Sequence, residues 1–191
     1  CPMKQALILH GTDATPANNW FVWLKERLEQ DGYRVWLPQL PNSDKPNTKI
    51  YNQFLLANQD FEFNDETIII GHSSGAVEVL SLLQHLSEGK KVGSCFLVSA
   101  FRDDLGWDAL TDLFTEPFDF EVIKKKADKF VFLHSDNDPY CPIDHAQYLA
   151  EQVGGELIVK SGQGNLNTEI SEQYKEFPVL LDIIKNNAAG R

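Results

Sequence analysis

Short apolar runs alternate with longer segments of helical period along the whole chain, and this alternation leaves few folds open. ALILHG (residues 6–11), YRVWLPQL, TIIIG, VGSCFLVSA, KFVFLHS and GELIVKSG read as strands. Between the first two lies NWFVWLKERLEQDG, with Trp20, Trp23, Leu24 and Leu28 on one face and Gly32 as its stop. IYNQFLLANQDFEF and HSSGAVEVLSLLQHLSEG follow as helices, then two short helical stretches around residues 107–114 and 121–127. IDHAQYLAEQVGG and TEISEQYKEFPVLLDIIKN are the last helices, and Pro178 predicts a kink or a break in the second. Strands this short and apolar on both faces belong to a parallel sheet covered by helices on both sides. The expected architecture is therefore α/β: three layers, doubly wound, with a mostly parallel central sheet and right-handed crossovers. No repeat or linker divides the 191 residues, so residues 1–191 are read as a single domain, burying roughly 70% of its unfolded surface.

The charge balance excludes some functions. Seventeen Lys+Arg against 28 Asp+Glu leave a net charge of −11. Nucleic-acid binding rests on clustered cations, and docking on anionic lipid also needs them, so neither partner is expected. A protein partner has no signal in the sequence. Three scattered cysteines make neither a disulfide framework nor a zinc site, and Cys95 reads as a small core residue. No apolar run reaches the ~20 residues of a membrane span. CPMKQ passes straight into ALILHG with no signal-peptide pattern, which sets a reducing cytoplasm as the expected location. Cys1-Pro2 reads as an introduced or a processing remnant and the AAGR ending as an untethered tail.

Open parallel sheets bind ligands beyond the carboxyl ends of their strands. Gly71-His72-Ser73-Ser74-Gly75 stands between the strand TIII and the helix AVEVLSLL, a G-x-S-x-G run in the strand–turn–helix setting that makes it specific for a nucleophilic serine. The turn is so tight that side chains at 71 and 75 would collide with neighbouring elements. Ser73 is then held in a strained conformation with its hydroxyl toward the cleft. Such a serine needs a base, an orienter for the base, and donors for an oxyanion. The backbone N–H of Ser74 follows the nucleophile, and the HGTDATPANNW loop brings a second, that of Thr12, with Gly11 permitting close approach. For the orienter, S-D-N-D-P-Y-C-P offers Asp138, with Asp136 as a competitor whose plainer role is to cap the turn. No H-x-x-H, C-x-x-C or G-x-G-x-x-G spacing occurs, so no metal or organic cofactor is implied.

HG after the first strand, N-W-F-x-W-L-K-x-x-L, T-I-I-I-G-H-S-S-G-A, L-V-S-A-F, D-x-D-P-Y-x-P and N-T-E occur in that order. Over nearly its whole length the chain resembles the small lidless α/β-hydrolases grouped with the retinoblastoma-binding serine hydrolase and its bacterial relatives. The resemblance implies a minimal α/β-hydrolase fold with a Ser–Asp–His triad in that chain order. Ser73 matches the nucleophile, and Asp138, the aspartate of D-P-x-x-P, matches the acid. At the third member the chain departs from the pattern. Asn165 stands where the family has its histidine, and none of His10, His72, His85, His134 and His145 follows the last strand. His145, which opens the helix after the acid loop, is the one candidate substitute.

An amide cannot accept a proton near neutral pH, so Asn165 leaves Ser73 a neutral alcohol. An introduced change and a natural loss both account for it. Two functions follow as expectations. The first is a serine hydrolase of a carboxylic ester or other small acyl substrate, with position 165 as its altered base. The second is a non-catalytic binding protein on the same scaffold. Trp20, Phe101, Trp107, Phe114 and Phe118 are candidates for pocket walls or core. The stretch from residue 101 to 120 is too short for a substantial lid, which predicts an open cleft. KKKAD (124–128) reads as a solvated basic patch on a helix.

Overall fold

The computed structural model describes residues 4–188; Cys1 and Pro2, and the last three residues of AAGR, lie outside them. Six strands form one sheet: β1 (Gln5–Leu9), β2 (Arg34–Trp36), β3 (Ile68–His72), β4 (Val92–Val98), β5 (Ala127–Ser135) and β6 (Glu156–Lys160). Their order is β2-β1-β3-β4-β5-β6 and every pairing is parallel. The chain leaves β1 toward β2 and returns to place β3 on the other side of β1, so the carboxyl ends of β1 and β3 flank the switch point where ligands enter such sheets. Leu9 pairs with Gly71, and His72 with Val98. These registers bring the loops after β1, β3 and β4 out at one level.

Alternation along each strand builds two cores. Ala6, Ile8, Ile70, Phe96, Val98 and Leu133 face α1 (Phe21–Gln30) and α6 (Pro178–Ala188), with Phe21, Leu24, Leu28, Leu180 and Ile184 packed on them. Leu7, Leu9, Ile69, Leu97 and Phe132 face the opposite layer, made of α2 (Thr48–Leu56), α3 (Ser74–Gln84), α4 (Phe120–Ile123) and α5 (Ile143–Val153). The central strands β1 and β3 are buried at every residue. Edge strands behave differently. β6 is half-exposed, and β2 shrinks to three residues just short of Pro38, which cannot donate to a ladder.

Several helix ends also depart from the sequence pattern. α2 starts on an Asn47 cap, whose Oδ1 accepts from the Ile50 amide at 3.1 Å, and stops at Leu56. Pro178 neither kinks nor breaks the last helix but begins it, a position where its missing N–H costs nothing. The segment before it holds a 3₁₀ turn at Glu172–Lys175. The stretch around residues 107–114 is a 3₁₀ helix over Asp108–Leu113. KKKAD is not a solvated helical patch: α4 ends at Ile123, and Lys126 is buried with its ammonium on the Leu86 carbonyl. No helix among the described residues is long and apolar enough to cross a membrane.

Glu78 is the exception to the apolar logic of α3. Its side chain is fully buried in the α3 core layer, and neither carboxylate oxygen has a hydrogen-bond partner among the described residues. Burial raises its pKa well above the ordinary 4.5, and its nearby charge also pushes the Tyr51 phenol upward, after burial itself. A carboxyl with a raised pKa in the folded state stabilises fully below its unfolded pKa and loses that contribution as pH rises through the folded value. Thermal unfolding from pH 4 to pH 8 should therefore show the parent losing stability relative to Glu78→Gln as pH rises. Parallel curves would remove Glu78 as the cause.

Candidate active site

The elbow after β3 is built by sterics. Ser73 adopts φ +58°, ψ −120°, a left-handed conformation rare for a side-chain-bearing residue, and its amide donates to the Val98 carbonyl at 2.8 Å. A Cβ on Gly71 would lie 2.5 Å from the Gly75 carbonyl oxygen, and one on Gly75 would lie 2.6 Å from the His10 oxygen. Gly11 has a related function, since a Cβ there would come within 3.3 Å of both the His72 oxygen and the Ser73 Cβ. The β1 loop thereby sits directly against the turn that carries Ser73. Neither the Thr12 nor the Ser74 amide has a hydrogen-bond acceptor among the described residues.

The loop after β5 places Asp138. Its side chain is completely buried. Oδ1 accepts from the Tyr140 and Cys141 amides at 2.8 and 2.9 Å, and Oδ2 accepts from Asn165 Nδ2 at 2.9 Å. The competing Asp136 does something else: its oxygens accept from the Gly162 amide at 2.9 Å and the Ser161 hydroxyl at 3.0 Å. Asn137 Oδ1 accepts from the Gly164 amide at 2.8 Å, and Ser135 Oγ from the Gln163 amide at 2.7 Å. Thus the S-D-N-D run clamps the loop after β6 with consecutive residues, a role the sequence reading missed.

Asn165 is buried, and all of its side-chain polar atoms are engaged. Its Oδ1 accepts from Asn167 Nδ2 at 3.2 Å, and its backbone oxygen accepts from His72 Nε2 at 2.8 Å and Ser99 Oγ at 3.1 Å. The Cys141 thiol adjoins the three sequence-selected side chains: Asn165 Nδ2 donates to it at 3.7 Å, and Ser73 and Asp138 are close enough to act on its ionisation. Burial first, and then the Asp138 charge, push the thiol pKa up, so it is a neutral thiol. The adjacency of Cys141 to Asp138 in D-P-Y-C-P was the signal for this contact.

Among the described residues, no histidine side chain hydrogen-bonds to Ser73 or to the Asp138 carboxylate. His10 donates from Nδ1 to the Gly11 oxygen at 2.9 Å while Nε2 accepts from the Leu40 amide at 2.8 Å, and burial lowers its pKa. His72 is held neutral mainly by burial, and its Nε2 proton is given to the Asn165 carbonyl. His134 lies 3.8 Å from Asp138 Oδ2, but its Nε2–H donates to the Cys141 oxygen at 2.6 Å and burial lowers its pKa. His145 Nδ1 accepts from the Arg102 amide at 3.1 Å, and the residue does not line the cleft. His85 caps α3 and meets Glu116 at the surface.

The cleft encloses about 310 Å³. Thr12 and Asn19 of the β1 loop, Ser73, Cys141 and Asn165 form its base, and Phe101, Leu105, Trp107 and Leu110 one wall. Of the candidate aromatics, Phe101 and Trp107 line it. Trp20 is core, its indole N–H donating to the Leu166 carbonyl at 3.0 Å, and Phe114 and Phe118 pack beneath the wall.

Comparison with known proteins gives a consistent result. A family model described as serine hydrolase matches residues 6–186. YdeN of Bacillus subtilis (strain 168), named as a hydrolase, is 30% identical over 182 residues, covering 95% of this chain and 94% of that protein. Serine hydrolase RBBP9 of Rattus norvegicus is 28% identical over 189 residues, or 97% and 95% of the two chains. The crystal structure of the ydeN gene product superposes with a TM-score of 0.90 at 26% identity, covering 98% of this chain and 100% of that one.

Proposed function

We propose that this chain, which belongs to the serine hydrolase family and has the α/β-hydrolase fold, acts on a small carboxylic ester or related acyl compound through Ser73. The observation that carries the reading is the 2.9 Å hydrogen bond from Asn165 Nδ2 to Asp138 Oδ2, beside a thiol that both Asn165 and Ser73 reach. Asp138 is the orienter, position 165 the site of the base, and the amides of Thr12 and Ser74 the oxyanion donors. In this scheme Ser73 Oγ attacks the acyl carbon, its proton passes by way of a base at position 165 to the departing oxygen, and the alcohol leaves. Water then releases the acyl group from Ser73, and each step passes through an oxyanion held by the two amides. With Asn at 165 nothing takes the serine proton, so binding and oxyanion stabilisation remain while turnover is slow. Triad-deficient hydrolases retain roughly 10³–10⁴-fold acceleration over water by such means.

Reaction with a fluorophosphonate tests the assignment, because its phosphorus reports nucleophile and oxyanion site together. Mass spectrometry should locate the label on Ser73, forming slowly in this chain and much faster in Asn165→His. A label on another residue, or none in either protein, would overturn the reading. In the latter case a binding protein on this scaffold becomes the better account.

A further inference from the structure

The rim of the cleft carries features that ester chemistry alone does not require. Trp107 and Tyr140 both line it, 54% and 38% exposed, with ring centroids 6.1 Å apart and planes at 88°. The two rings therefore meet edge to face, leaving perpendicular ring planes beside the cleft. Neither ring is placed by chance. The Tyr140 amide is fixed on Asp138 Oδ1 at 2.8 Å, and the Trp107 amide on the Asp104 carbonyl at 2.8 Å. The Tyr140 hydroxyl donates to the Glu169 carboxylate, which enriches its ring in electron density.

The charge lining the cleft has one sign. Asp13 and Glu169 line the cleft, no lysine or arginine does, and His72 is neutral. Asn19 Oδ1 accepts from the amide and hydroxyl of Thr168 at 3.0 and 2.9 Å, tying the loop that carries Asp13 to the loop that carries Glu169. Aromatic faces attract cations through the ring quadrupole, and a nearby carboxylate adds a Coulomb term. An anionic substrate would meet repulsion at the same place.

We propose that the Trp107–Tyr140 corner, with Glu169 and Asp13, is a subsite for an organic ammonium group, so that the preferred substrates are esters bearing a quaternary or tertiary ammonium. This deepens the hydrolase reading and rests on it for the placement of the ester at Ser73. The test uses the chain with Asn165 in place, so that ligand persists during measurement. Binding of acetylcholine is compared by calorimetry with that of 3,3-dimethylbutyl acetate, its uncharged isostere.

Acetylcholine should bind about tenfold more tightly, a cation–π and charge effect of ordinary size for a half-exposed site. Trp107→Ala should erase most of that preference, and Glu169→Gln should reduce it. Trp107 is exposed enough that its loss leaves the fold intact, to be verified by thermal unfolding. Equal affinities for the two esters, or a preference that survives Trp107→Ala, would overturn the proposal. Failure of both esters to bind, in a protein whose Asn165→His form still hydrolyses p-nitrophenyl acetate, would overturn the subsite while leaving the hydrolase assignment standing.

Discussion

Asn165→His should raise kcat/KM for p-nitrophenyl acetate by at least ~10²-fold, a conservative part of what a complete triad contributes. The geometry favours the exchange. Asn Nδ2 and His Nδ1 are both bonded to Cγ, and the first already donates to Asp138 Oδ2 at 2.9 Å. An imidazole there can keep that bond through Nδ1–H and extend Nε2 toward the space around the Cys141 thiol and Ser73. The gain should vanish in Ser73→Ala, where the restored base has nothing to activate. It should also follow deprotonation of the new imidazole, rising with pH. Strong Ser73-dependent turnover by the unmodified chain would mean another base operates. A correctly folded Asn165→His protein with no gain would point to a cleft altered beyond its triad.

Gly75→Ala should lower Tm by about 10 °C, from a cost of about 3 kcal/mol. The added methyl would sit 2.6 Å from the His10 carbonyl oxygen and nearer still to that of Leu9. Both are backbone atoms at the buried end of β1, so relief requires moving α3 away from the sheet rather than turning a side chain. Thermal unfolding by circular dichroism measures the effect, and an unchanged Tm would mean that the elbow yields easily. Loss of fluorophosphonate labelling should accompany it, since the same displacement moves the Ser74 amide.

The order of elements was readable because β1, β3 and β4 are central strands whose apolar runs answer to burial on both faces. The G-H-S-S-G elbow was readable because sterics dictate both its glycines. Asp138 and Asn165 could be paired from the family resemblance, and the structure brings their side chains into contact. What escaped the sequence depends on long-range context. Pro178 could break a helix or start one, and only the extended chain before it decides. Lys126 resembles its exposed neighbours Lys124 and Lys125 until its ammonium meets the Leu86 carbonyl, 40 residues away. The bonds from Ser135, Asp136 and Asn137 to the loop after β6 cross more than 20 residues and leave no periodic trace.

Those bonds give position 165 an uncommon independence. The loop around it is fastened through its backbone amides at 162, 163 and 164, and the carbonyl of residue 165 is held by His72 and Ser99. None of these anchors uses the side chain at 165. The side chain makes bonds of its own, Nδ2 donating to the buried Asp138 carboxylate and Oδ1 accepting from Asn167, so a replacement keeps the stability of the site only where it can still donate to Asp138. On the proposed hydrolase reading, these backbone anchors keep the loop in place whether or not a base stands at 165, and Asn165→His is the replacement expected to return proton transfer.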